Sequence, residues 1–271
     1  MKLKLVKASR GLVWVRQGLL ACRQQPLGYI SLLGLTSMAA MLLMLLLQEI
    51  GLALVTCLAP VVWMGVILAT RRVLTGQSIT PTVMIEPFKS DAAIRKAFGQ
   101  LGLLYGLCML GALQLSGWLG PDPQALEDIK TKAQDLAEVI TNPLVQQSML
   151  LDLVLTLPVT LLFLHAPALI MWARVPLPKA LFFSAVASWR NLGAFVLFGL
   201  GWFGVLSALA LTAGLIVTIL PIPALVNALT MAASMGLAAA FYGSLYFAVV
   251  DCFDPQRPAE QPEPPEPSAQ A

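Results

Sequence analysis

The sequence predicts an all-α membrane protein with six transmembrane helices, and three observations carry that prediction. Hydrophobic residues make up 58% of the chain and charged residues only 11%, whereas soluble domains carry about 25% charged residues. Six stretches reach the roughly 20 apolar residues that a crossing needs: 27–47, 50–70, 97–119, 148–172, 192–219 and 224–250. Fifteen of the seventeen Lys and Arg residues fall in segments that six spans put on one side. Loops rich in Lys and Arg stay cytoplasmic, so both termini are expected inside, in a single membrane-embedded unit over 1–253. Five or seven spans would scatter the basic loops over both sides.

The chain opens with a basic, partly apolar stretch that ends at Arg23. Leu12, Val15, Leu19 and Cys22 share a helical stripe, with Arg16, Gln17 and Arg23 beside it. That pattern predicts a helix lying in the membrane surface with its basic edge toward anionic headgroups. The following apolar run is longer than the roughly 7–15 residues of a signal peptide, which reads as a retained helix, not a cleaved leader. Only Gln48 and Glu49 separate spans 1 and 2, so these form a tight hairpin. Arg71, Arg72, Lys89, Arg95 and Lys96 lie between spans 2 and 3.

The 120–147 loop is the one sizeable piece expected outside. Asp122 and Pro123 read as cap and first position of a helix, and apolar residues from Leu126 to Ile140 recur at helical spacing. Lys130 and Lys132, the two basic exceptions, share this loop with several acids. Span 4 contains Asp152, His165 and two prolines, Pro158 and Pro167, each of which should remove a helix hydrogen bond and bend it. Arg174, Lys179 and Arg190 follow. Pro221 and Pro223 punctuate an uncharged turn between spans 5 and 6. The tail 254–271, rich in Pro and Glu, cannot bury enough surface to order itself and is expected to be disordered.

A weak repeat runs through this layout. Arg23, Arg95 and Arg190 each precede an odd-numbered span, followed 11, 11 and 9 residues later by Gly34, Gly106 and Gly199. The chain thus reads as three copies of a surface helix plus a hairpin, a threefold plan. The alternative is that basic residues precede any inward-starting span and short glycine strings align by chance.

His165 is the only histidine. Counted along span 4 it falls roughly 13 Å from the cytoplasmic end, near mid-bilayer. An ionisable group there reads as a proton relay or ligand group, or as a neutral imidazole hydrogen-bonded between helices. Asp152 is about 20 Å away along the axis, so the two make no evident relay. Gly199 to Gly204 formally fits GxGxxG, but no strand precedes it and no acid follows at the right distance. Together with Gly99, Gly102 and Gly106 it reads instead as small residues at helix contacts. No HExxH, GxSxG or P-loop occurs, so neither cofactor, metal nor catalytic residue is expected, and the chain reads as non-enzymatic. The four cysteines are far apart and form no framework. The partners expected of Arg16, Arg23, Arg95, Lys96, Arg190 and Asn191 at the cytoplasmic interface are anionic headgroups, not nucleic acid. Trp14, Trp63, Trp118, Trp172, Trp189 and Tyr246 read as interfacial aromatics.

Three strings, His165-Ala166-Pro167-Ala168-Leu169, Ser188-Trp189-Arg190-Asn191 with Ala194-Phe195, and Phe241 to Phe247 continuing to Asp251-Cys252-Phe253, together with the basic start at Lys2–Trp14, carry a resemblance. On them the chain resembles an uncharacterised family of beta-proteobacterial inner-membrane proteins. The resemblance spans nearly everything but the tail. It implies a bacterial inner-membrane location and supplies no activity, so no functional residue carries over. Two functional readings stay open: a non-enzymatic protein of interaction, assembly or membrane organisation, and a small transporter or channel using the interior of span 4.

Overall fold

The computed structural model describes residues 3–133, 136–219 and 222–253. The tail 254–271, and Leu220 and Pro221 of the expected turn, lie outside the described residues. Eleven α-helices occur among the described residues, and five helices are long and apolar enough to cross a membrane.

The first of those five, α2 (Pro26–Leu74), is 49 residues long and leaves helical geometry at Gln48 (φ 49°, ψ −120°). A straight helix would hold Tyr29 and Thr70 about 60 Å apart. Their hydroxyls are instead 2.8 Å apart, so α2 is a hairpin whose arms, 26–47 and 49–74, fold back on each other. Gln48 has the dihedrals of the first central position of a type II′ turn, where glycine is favoured. Gln48→Gly should therefore be neutral or stabilising, by about 1 kcal/mol. Gln48→Val should destabilise. Thermal unfolding in detergent measures both, and a stabilised valine variant would refute the strained-turn account.

α4 (Ala92–Leu119) packs on the second arm of α2. Gly102 and Gly106 make this approach close: a Cβ on either would stand 2.3 Å from the Cys57 carbonyl oxygen or 2.4 Å from its sulfur. Lipid offers little hydrophobic drive for helix association, so such close backbone contact supplies the attraction. Gly99, Gly199 and Gly204, expected to serve likewise, face nothing within 4 Å. α7 (Pro143–Phe163) packs on α4, α10 (Leu192–Ile219) on α11 (Pro223–Cys252), and α11 on α2. Neighbours thus run α10, α11, the two arms of α2, α4 and α7. The outward surface of these helices is studded with exposed Leu, Met, Val and Phe, as lipid-facing helices are.

The 120–147 region is two short helices, α5 (Pro123–Lys132) and α6 (Leu136–Thr141), rather than one. Asp122 caps α5 by accepting from the Gln124 N–H, and Asn142 caps α7 by accepting from the Leu144 N–H.

The surface elements are α1 (Arg10–Gln24), a 3-10 turn (Pro81–Ile85) leading into α3 (Glu86–Lys89), and α9 (Leu177–Arg190). The middle stretch expected as a surface helix, 88–96, is not one: Phe88 and Lys89 end α3, and from Ala92 the chain belongs to α4, whose start Asp91 caps. α1 also differs from expectation. Its Val15 and Cys22 stripe is buried against α10 and α11, not turned to lipid, and its outward stripe is Leu12, Arg16, Leu20 and Arg23. Burial of the Cys22 thiol pushes its pKa up.

Candidate functional site: a sealed polar face

One face of the bundle gathers the start of the chain, the end of α2, the starts of α4 and α10 and the end of α11. Its centre is the break in span 4. The helix stops at Phe163 and resumes as α8 (Ala166–Ala173), with Pro167 in its first turn. In an unbroken helix the His165 N–H would donate to the Leu161 carbonyl. Here two serines of α9 replace that bond: the His165 N–H donates to Ser184 Oγ at 3.0 Å, and Ser188 Oγ–H donates to Leu161 O at 2.8 Å. Pro158, by contrast, lies inside α7 without ending it.

The His165 side chain is fully buried, with Ser188 Oγ 3.5 Å from Nδ1 and no partner for Nε2 among the described residues. The imidazole packs edgewise on Phe195 and Phe253, with ring centroids 5.7 and 5.3 Å away. Phe195 is in the first turn of α10 and Phe253 directly follows α11. His165 thus packs where the first turn of α10 meets the end of α11, while Phe163, two residues earlier, packs on Tyr105 of α4. At the far end of α8, Trp172 packs on Tyr246 and under the Arg71 guanidinium, and Arg174 pairs with Asp91 at the α4 start.

Asn191, in the turn between α9 and α10, ties three segments together. Its Oδ1 accepts from the Val6 N–H at 2.9 Å, and its Nδ2 donates to the carbonyls of Lys4 and Ala187 and approaches Cys252 Sγ at 3.5 Å. The Lys4 N–H donates to the Cys252 carbonyl, and Leu3 bridges Phe253. The first residues described are thus an extended strap across the end of α11. Asp251 secures the next turn, accepting from Trp14 Nε1 at 2.7 Å and from Arg10 Nε at 2.8 Å.

Trp14 is not an interfacial aromatic: it is fully buried and packs on Phe195 and Phe198. Trp63 is buried as well, against Tyr105. Trp118 and Trp189 are exposed. Of the other residues singled out, Asp152 is half-buried in α7, away from His165, its carbonyl accepting from Thr156 Oγ1. Arg16, Arg23 and Arg190 are exposed, and Arg95 donates to the Ser90 carbonyl. Lys96 is exposed and borders a cavity beside Arg174. Sequence reasoning missed Arg10, Ser184, Ser188 and Asp251 as site members. The usable signal was Asp251, a lone acid closing an apolar span, which requires a nearby donor or cation.

Asp91 caps α4. The backbone N–H of Ile94, and then the Arg174 side chain, hold its carboxyl below the usual range. A depressed carboxyl contributes stability above its ordinary pKa of about 3.9 and loses it as pH falls through the folded value. Asp91→Asn keeps a competent cap and loses the ion pair. Melting curves of wild type and Asp91→Asn should therefore converge as pH falls below about 4. A difference that widens in acid would contradict this.

The strings that carry the family resemblance converge here: His165, Ser188, Asn191, Phe195, Asp251 and Phe253 are all members of the sealed face. No family model matches the chain, and no solved structure does. A protein of Burkholderia thailandensis bearing the name "Probable inner membrane protein" is 35% identical over 263 residues, covering 95% of this chain and 96% of the relative. The several membrane-capable apolar helices agree with that relative's name. The chain belongs to the family of this Burkholderia inner membrane protein.

Proposed function

We propose that the protein crosses the inner membrane six times with both termini cytoplasmic, and that it is a non-enzymatic protein of interaction or membrane organisation acting at its cytoplasmic face. Counting the α2 hairpin as two crossings supports six, since it puts the strap, Arg71, Lys96 and Arg190 on one side. A reporter active only outside the cytoplasm, fused after Asp251, should stay silent. Activity there would overturn the topology.

The observation that carries the functional reading is the chemistry of the three surface elements. Each presents outward apolar residues beside bases: Leu12 and Leu20 with Arg16 and Arg23, Ile85 and Phe88 with Lys89, and Phe182 and Trp189 with Lys179 and Arg190. Phe182 is 62% and Trp189 79% exposed. Apolar side chains set among bases suit the headgroup layer of an anionic leaflet. Their packing also supports the threefold plan. α1 lies on the α10–α11 hairpin, the 81–89 segment on α2, and α9 on α7 and α8. Each element therefore rests on the preceding hairpin in cyclic order, although α8 has no counterpart in the other two units.

Transport through span 4 is the weaker reading. His165 and the helix break motivated it, and both are enclosed by Ser184, Ser188, Phe195 and Phe253. Crosslinking followed by purification from native membranes should recover a specific partner. Repeated recovery of the protein alone, under conditions preserving known complexes, would count against interaction. Solute flux in proteoliposomes that is lost in His165→Ala would restore the transport reading.

A further inference from the structure

We propose that the cavity between the start of α4 and the α8–α9 turn binds the headgroup of a single anionic phospholipid, with its apolar wall receiving the first acyl carbons. The cavity is about 360 Å³ and is bordered by Lys96 and Arg174 on its polar side and by Ile94, Ala97, Ile170 and Leu177 on its apolar side. Basic pockets between helices near the membrane surface are the recurrent setting for phospholipid headgroups.

The charges are unequally committed. Asp91, the acid of the lining, accepts from Arg174 and from the Ile94 N–H that it caps. Lys96 has no acidic partner among the described residues, and Arg95 and Lys179 extend the basic character on either side in sequence. Arg174 adds a second line of argument. It closes α8 in the left-handed conformation (φ 52°), at a position where glycine is the favoured residue. An arginine there carries a backbone cost that its side chain must offset, and strained residues concentrate at functional sites. A free anion needs no apolar wall. A phospholipid does, which decides between these two sources of phosphate. The proposal rests on the six-crossing reading only for which leaflet supplies the lipid, so lipid binding and the reporter fusion fail independently.

The test is stepwise lipid binding to the detergent-purified full chain by native mass spectrometry, comparing phosphatidylglycerol with phosphatidylcholine. Because Arg174 is paired with Asp91 in the lining, Lys96 supplies the net charge, and at about fivefold per basic residue the first phosphatidylglycerol should bind about fivefold tighter than phosphatidylcholine. Lys96→Gln should remove most of that preference, and Lys96→Gln with Arg174→Gly should leave none. Arg174→Gly removes the cation while relieving the backbone, and an unchanged unfolding midpoint shows that the fold persists. Should the double variant fail to fold, Lys96→Gln, altering an exposed side chain, decides alone. The proposal is overturned if the preference survives in Lys96→Gln, if Arg16→Gln with Arg23→Gln on α1 lowers it equally, or if inorganic phosphate displaces the first lipid.

Discussion

Trp14→Ala is expected to destabilise the protein by about 3–5 kcal/mol, the usual cost of removing a fully buried large aromatic. Trp14 is 0% exposed, packs on Phe195 and Phe198, and donates its indole N–H to Asp251. The truncation would leave a cavity where α1 meets α10 and would strand part of the Asp251 carboxylate. Trp14→Phe separates the two contributions by keeping an aromatic ring and losing the N–H. It should cost about 1–3 kcal/mol, the penalty of a hydrogen bond to a charged group. Arg10 still serves Asp251 in that variant, and its partial exposure holds the loss toward the lower end. Thermal or denaturant unfolding in detergent is the measurement. A Trp14→Ala protein melting within about 1 °C of wild type would sink the account of α1 as part of the core.

The double substitution Ser184→Ala with Ser188→Ala should cost about 2–6 kcal/mol, because it orphans two buried backbone groups at about 1–3 kcal/mol each. Those groups are the His165 N–H and the Leu161 carbonyl, which the two serines serve where the helix is interrupted. Thr212→Ala is the control: its exposed hydroxyl back-bonds to the Ala208 carbonyl within α10, and its loss should be nearly neutral. Equal damage from the control and the double variant would mean that the serines do not hold the break open. The same logic gives His165 a packing role. Its imidazole rests on two phenyl rings, so His165→Phe should be tolerated better than His165→Asp, which would bury an unpaired charge.

Much of the layout was legible because its causes are local. The hairpin at Gln48 follows from two polar residues between apolar runs, and the cap at Asp122 follows from cap chemistry within two residues of the N–H it serves. The exposure of Trp118 and Trp189 agrees with their place next to span ends. The candidate site was only partly legible. His165 and Asn191 stood out by residue type, but the partners of Asn191 are up to 187 residues away and those of Asp251 up to 241. Nothing in helical periodicity links such positions. The stripe on α1 failed for the same reason: an amphipathic helix reads alike whether its apolar side meets lipid or another helix.

Hydropathy and the segregation of Lys and Arg were sufficient, by themselves, to establish a multi-pass helical membrane protein and the segments that form its helices. Transfer into a bilayer is decided segment by segment, from the side chains of that segment alone. Tertiary structure alone decided that two serines of α9 serve the break between α7 and α8, that His165 is sealed against Phe195 and Phe253, and that the strap, Asn191 and Asp251 close one face. Those outcomes depend on which donors and acceptors meet after the helices pack. A polar group cut off from water must find its partner wherever folding brings one, however distant in sequence.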